Sequence, residues 1–130
     1  MDTSRLTAFL DFAELPAAEL DELAAAVTEV DVRAADTILA LDDYGTGVYF
    51  IEEGAAQVLD DHGEEVDTLG PSDTFGEIAL LLTGQRTATV VARTPMRLLS
   101  LSGQDFERIR SRVPTLEDSL RRLGVERARR

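Results

Sequence analysis

Phe75-Gly76-Glu77-Ile78-Ala79-Leu80-Leu81-Leu82-Thr83-Gly84-Gln85-Arg86-Thr87-Ala88-Thr89-Val90 reads as glycine, short helix, turn and then strand. Gly76 lets the backbone come close to a neighbour, and residues 77–82 can make one or two helical turns. The amides at the start of such a turn lack partners and attract anions. Arg86 enters a turn just before a β-branched run, so its guanidinium can return toward those amides and complete a phosphate site. From Ala34 through Ala92 it is the only fully charged cation, among twelve acids. A lone arginine in that setting also suits a structural ion pair with one of those carboxylates. Two anion-binding devices around one turn favour phosphate.

Outward from this stretch, the chain reads as short strands separated by turns. Val30 and Val32 alternate with Glu29, Asp31 and Arg33, and Ile38-Leu39 begins another apolar run. Strands are expected at Val48-Tyr49-Phe50-Ile51, at Ala56-Gln57-Val58-Leu59 and over residues 65–69, then at 88–92 and 97–101. The segment Asp60-Asp61-His62-Gly63 is a hairpin tip, with Gly63 free to take a positive φ. About eight short strands at regular spacing indicate an antiparallel β-roll, sandwich or jelly roll.

Helices flank the strands. Asp2 or Thr3 is positioned to cap a first short helix that carries Leu6, Phe9 and Leu10 on one face and ends near Asp11. Pro16 opens a second, with Leu20, Leu23, Ala24 and Val27 at helical spacing. Beyond Ser102, Phe106 and Ile109 share a face. Pro114 then restarts a helix on which Leu116, Leu120 and Leu123 form a stripe, with Gly124 weakening its end.

The 130 residues suit one domain, 1–130, divided into N-terminal helices (1–27), a roll (28–102) and C-terminal helices (103–130). No apolar run approaches the roughly 18 residues of a membrane helix and no signal peptide is evident, so a cytoplasmic location without membrane contact is expected. The absence of cysteine excludes disulfides and thiolate chemistry. A single histidine, His62, leaves any metal site dependent on carboxylates. The acidic run around His62 lacks the alternating ligand positions of a calcium loop, so it is read as a solvated hairpin and no metal is expected. No nucleophile has a base beside it, so an enzyme is not expected.

The net charge is -12, and every basic side chain other than His62 is an arginine. Such a surface repels nucleic acid. The last ten residues reverse the sign, with Arg121, Arg122, Arg127, Arg129 and Arg130 against Glu126. They are read as a solvated helix end favouring positive charge, ahead of a nucleic-acid contact.

Phe75-Gly76-Glu77-Ile78-Ala79-Leu80 followed by Arg86-Thr87-Ala88-Thr89-Val90 resembles the phosphate-binding cassette of cyclic nucleotide-binding domains. The resemblance extends to Tyr49-Phe50-Ile51, Gly54, Gly63, Phe106 and Pro114, and in layout from Leu6 to Leu123. It implies an eight-stranded antiparallel β-roll, a double-stranded jelly roll carrying the cassette at 75–90, with N-terminal helices and two C-terminal ones. It also implies a 3',5'-cyclic nucleotide as ligand, cyclic AMP ahead of cyclic GMP, and a regulatory rather than catalytic role. Arg86 would pair with the cyclic phosphate and Glu77 would accept from the ribose 2'-hydroxyl. Gly76 and the amides of Ile78 and Ala79 would face the phosphate, Thr87 would add a hydroxyl, and the backbone of Ala88 would complete the pocket. Two positions depart from the family: Gln85 replaces the proline before the arginine, and Asp42-Asp43 replaces a Gly-Asp turn. Leu120 and Leu123 are candidates for a lid over the base, with core or dimer packing the preferred reading.

The partners implied are the cyclic nucleotide and an effector protein that reads the C-terminal helices. A homodimer stays open. No direct DNA binding is expected, since the residues after the roll are too few for a helix-turn-helix. A ligand-free roll serving as an interaction or dimerisation module is the alternative.

Overall fold

The computed structural model describes residues 1–128. Eight strands, β1 (Thr28–Val32), β2 (Thr37–Leu39), β3 (Val48–Glu53), β4 (Ala56–Leu59), β5 (Glu65–Leu69), β6 (Thr74–Phe75), β7 (Thr89–Ala92) and β8 (Met96–Leu101), form two antiparallel sheets. Their orders are β1-β8-β3-β6 and β2-β7-β4-β5. Three α-helices flank them: α1 (Ala17–Ala26), α2 (Gly103–Ile109) and α3 (Pro114–Ala128). This is the expected mainly β architecture, an eight-stranded roll with helices before and after it.

The pleat of β3 and β8 sorts their side chains into two cores. Ile51, Met96 and Leu98 point between the sheets, where they meet Leu39, Leu69, Phe75 and Val90. Val48, Phe50, Leu99 and Leu101 point the other way, onto a layer of helices that includes Leu23, Phe106, Ile109, Leu116 and Leu120. The central strands of one sheet, β3 and β8, are thus buried on both faces, which explains their nearly continuous apolar character. Helices that follow the roll in sequence therefore pack against the back of the strands that form it.

The N-terminal segment departs from expectation. In place of one helix ending near Asp11 there are two 3-10 turns, Thr3–Arg5 and Phe12–Glu14. Leu6, Phe9, Phe12 and Leu15 are all buried. Their spacing is three, and side chains three apart eclipse on a 3-10 turn. Leu10, with a φ of 47°, is only half-buried against the same cluster. Phe9 and Phe12 close on Phe50, with ring centroids 5.4 and 5.6 Å away. Asp2 does cap, accepting from the Ser4 amide at 3.0 Å. Arg5 ties the segment to β3 through Glu52, at 2.8 and 2.5 Å.

The two-residue strand β6 is too short to show a period in the sequence. It pairs Phe75 with Tyr49 of β3, and their rings stack at 5.2 Å. The hairpin tip forms as read: Gly63 has a φ of 77°, and Asp60 accepts from the amides of His62 and Glu64. Among the described residues no group of acids and histidine is arranged to hold a metal, and no helix is long and apolar enough to cross a membrane.

Candidate functional site

The site begins where β6 ends. Gly76 turns the chain with a φ of 95°, and a β-carbon there would lie 2.6 Å from the Gly47 carbonyl oxygen and 3.1 Å from Arg86 Nη1. Only glycine permits that approach. A helical turn starts at Glu77 and widens into a π-helical turn over Ala79–Thr83. Gly84 closes it in the left-handed conformation, its N–H donating to Ala79 O at 2.9 Å. The first bond of the turn runs from Leu80 N–H to Gly76 O at 3.4 Å, so the N–H groups of Glu77, Ile78 and Ala79 precede it. The expected short helix is therefore present in a wider form, which carries the chain from a buried Ala79 out to the turn at Gly84.

Arg86 follows that turn. It is only 7% exposed, and its Nη1 donates to Gly47 O at 2.9 Å and to Gly76 O at 3.4 Å. None of the salt bridges among the described residues involves it, so the structural ion-pair reading of this arginine does not hold. Burial pushes its guanidinium below its ordinary pKa, opposed by the field of Tyr49. A buried cation held only by carbonyl oxygens lacks a counter-charge, and an anion would supply one.

All seven residues expected at the site, Gly76, Glu77, Ile78, Ala79, Arg86, Thr87 and Ala88, line one cavity of about 390 Å³. The size falls within the roughly 300 to 1,000 Å³ of small-molecule sites. Leu39, Val58, Leu69 and Val90 add apolar lining to the cavity. A cation together with apolar walls suits an amphipathic anion. Val66 and Asp67 complete the rim. They lie where the register of β4 and β5 shifts, and a strand irregularity of this kind re-aims side chains.

The sequence reading missed Arg127, which also lines the cavity. From the last part of α3 it places Nη1 2.7 and 2.8 Å from the two Glu77 carboxylate oxygens and Nη2 2.5 Å from Thr74 O. Glu77 is 1% exposed and the Arg127 side chain 19%. The carboxylate assigned to a sugar hydroxyl thus already holds a helix. Gly124, expected only to weaken α3, faces Glu77, where a β-carbon would meet Glu77 Cγ at 3.9 Å. The reading of the basic tail as solvated is corrected at Arg127 and stands for Arg121 and Arg122, whose side chains are 51% and 65% exposed. Arg121 pairs with Glu117 at 2.5 Å, and Arg122 pairs with Asp11, while Arg129 and Arg130 lie outside the described residues. Leu120 is buried in the helical core, and Leu123 is half-buried beside Leu10 in a separate shallow groove. Neither lines the cavity, so packing is their role here.

The family profile described as the cyclic nucleotide-binding domain matches residues 29–113. The chain belongs to that family. A cyclic nucleotide-gated potassium channel of Rhizobium etli is 36% identical over 117 residues, 89% of this chain and 32% of the channel. The chain thus spans about a third of the length of the curated relatives it matches. Among solved structures, the regulatory domain of Toxoplasma gondii PKA with cAMP is 31% identical, with a TM-score of 0.72 over 82% of this chain and 42% of that one. The Thermus thermophilus catabolite activator protein is 27% identical, with a TM-score of 0.81 over 91% of this chain and 57% of that one.

Proposed function

We propose that this chain binds a 3',5'-cyclic nucleotide, cyclic AMP in preference to cyclic GMP, as a cytoplasmic regulatory module that passes occupancy to an effector protein through α2 and α3. The observation that carries the reading is Arg86, a buried guanidinium without an ion-pair partner among the described residues, opening on a cavity that is otherwise largely apolar. A cyclic phosphodiester carries a single charge that this guanidinium can neutralise in a forked geometry. The sugar then falls to Glu77, since an acceptor-only carboxylate suits a hydroxyl donor, and the base to the apolar wall. The Toxoplasma structure with cAMP, on a chain of 31% identity, supports adenine as the preferred base.

Transmission rests on Glu77 serving two partners. Arg127 fastens α3 to the same carboxylate that would take the ribose hydroxyl. A sugar bound there changes the free energy of the contact that holds α3, so ligand shifts the helix between packings. The test is calorimetric titration with cyclic AMP and cyclic GMP, joined to hydrogen exchange along α3. Cyclic AMP is expected to bind more tightly and to alter α3 protection, and Arg86→Ala to weaken binding by about 2 kcal/mol or more. No heat from either nucleotide at millimolar concentration would sink the proposal in favour of a ligand-free interaction module.

A further inference from the structure

We propose that Gln85, through the backbone of Asp42, is a positioning residue for the Arg86 guanidinium and thereby sets affinity for the phosphate; the inference rests on the cavity being a cyclic nucleotide site. Two segments distant in sequence meet at Arg86. Tyr44 and Gln85 oppose each other as an isolated antiparallel bridge. Around it Asp42 N–H donates to Arg86 O at 2.9 Å, Arg86 N–H to Asp43 O at 2.8 Å, and Gly45 N–H to Gly84 O at 3.3 Å. Gln85 adds its side chain, Nε2 donating to Asp42 O at 3.0 Å. Asp42 has a φ of 70°, a left-handed conformation that Asp tolerates better than most residues.

The two positions that depart from the family pattern, Asp42 and Gln85, are therefore bonded to each other. Thr83 holds Gln85 from the other side, its Oγ1 donating to Gln85 O at 2.6 Å and accepting from Gln85 N–H at 3.2 Å. The loop that receives Gln85 also meets the guanidinium. Gly47 O accepts from Arg86 Nη1 at 2.9 Å, and a β-carbon on Gly45 would lie 3.2 Å from Arg86 Nε. Fixing this loop fixes the arginine at its backbone and at its head. An arginine already held in place loses less freedom when the anion arrives.

The test compares wild type with Gln85→Ala and Gln85→Glu by calorimetric titration with cyclic AMP, by melting, and by the NMR resonance of the Arg86 Nε–H. Gln85→Glu keeps the shape of the side chain and replaces its donor with an acceptor. Both variants are expected to weaken affinity by about 3- to 10-fold, the worth of one ordinary hydrogen bond. The Arg86 Nε–H resonance should shift in the ligand-free variants, which a role confined to overall stability would not produce. In an Arg86→Lys background, where the forked head is gone, Gln85→Glu should change affinity no further. Unchanged affinity with an unmoved Arg86 resonance overturns the inference, as does an additive loss in the Arg86→Lys background. If wild type itself binds neither cyclic AMP nor cyclic GMP, the cyclic nucleotide reading falls first and the positioning role with it.

Discussion

Replacing Arg127 with alanine isolates the contact between the cavity and the helix above it. The substitution removes both bonds to Glu77 and the one to Thr74 O. It leaves a carboxylate that is 1% exposed without its cation. Stripping one partner from a fully buried ion pair costs about 3 to 5 kcal/mol. Glu77 lines an open cavity that water can enter, so the cost falls at or below the low end of that scale, about 2 to 3 kcal/mol. A chain of this size loses about 4 °C in Tm per kcal/mol, which puts the expected drop near 10 °C. Arg127 also lies close to the C-terminus of α3, where any cation gains about 0.3 to 1 kcal/mol from the helix dipole. A double-mutant cycle with Glu77→Gln separates the two contributions. Thermal and denaturant melts of the four proteins should give a coupling of at least about 1.5 kcal/mol. A Tm within about 1 °C of wild type for Arg127→Ala, or additive single and double changes, would refute the reasoning.

Gly76→Ala places a β-carbon 2.6 Å from the Gly47 carbonyl oxygen in a backbone conformation with φ near 95°, and a backbone carbonyl does not yield cheaply. It should cost about 2 kcal/mol or more and abolish cyclic nucleotide binding, and a wild-type melting curve would contradict the close-approach argument. Glu117 is held below its ordinary value of 4.5 by hydrogen bonds from Arg121 and then Arg110. Because the folded value is the lower one, this stabilisation is fully present above about 4.5 and is lost as pH falls through the folded value. Glu117→Gln should therefore lower the Tm at pH 7, with the difference shrinking in acid. A difference that stays constant from pH 7 to pH 3 would show that the arginine bonds are not its source.

Much of the roll was legible because its information is local. Alternation in β1, the apolar run of β3, the turn residues at 60–63 and the β-branched run into β7 each act within a few residues, where backbone geometry dictates which face a side chain takes. The seven expected residues reach one cavity for a similar reason, since all lie within a single turn-and-strand segment. The N-terminal segment failed this reading because apolar residues there recur every third position, a period that suits 3-10 turns wrapped over Phe50 better than an isolated amphipathic helix. Strand β6 escaped because two residues carry no period.

Arg127 was out of reach for a different reason. The sequence shows 13 arginines among 25 acids, and nothing in their spacing tells which acid each will meet. That choice is made when α3 packs on the back of the roll, burying Leu116 and Leu120 and bringing its later residues over Glu77. By itself the sequence determined most of the strands, the glycine before the cassette and the separation of Arg86 from other cations along the chain. Only the tertiary structure decided that Arg86 stays without an ion pair among the described residues while Arg127 takes Glu77. Hydrogen-bonding periodicity is set residue by residue along the chain, whereas charge pairing is set by which buried surfaces come together.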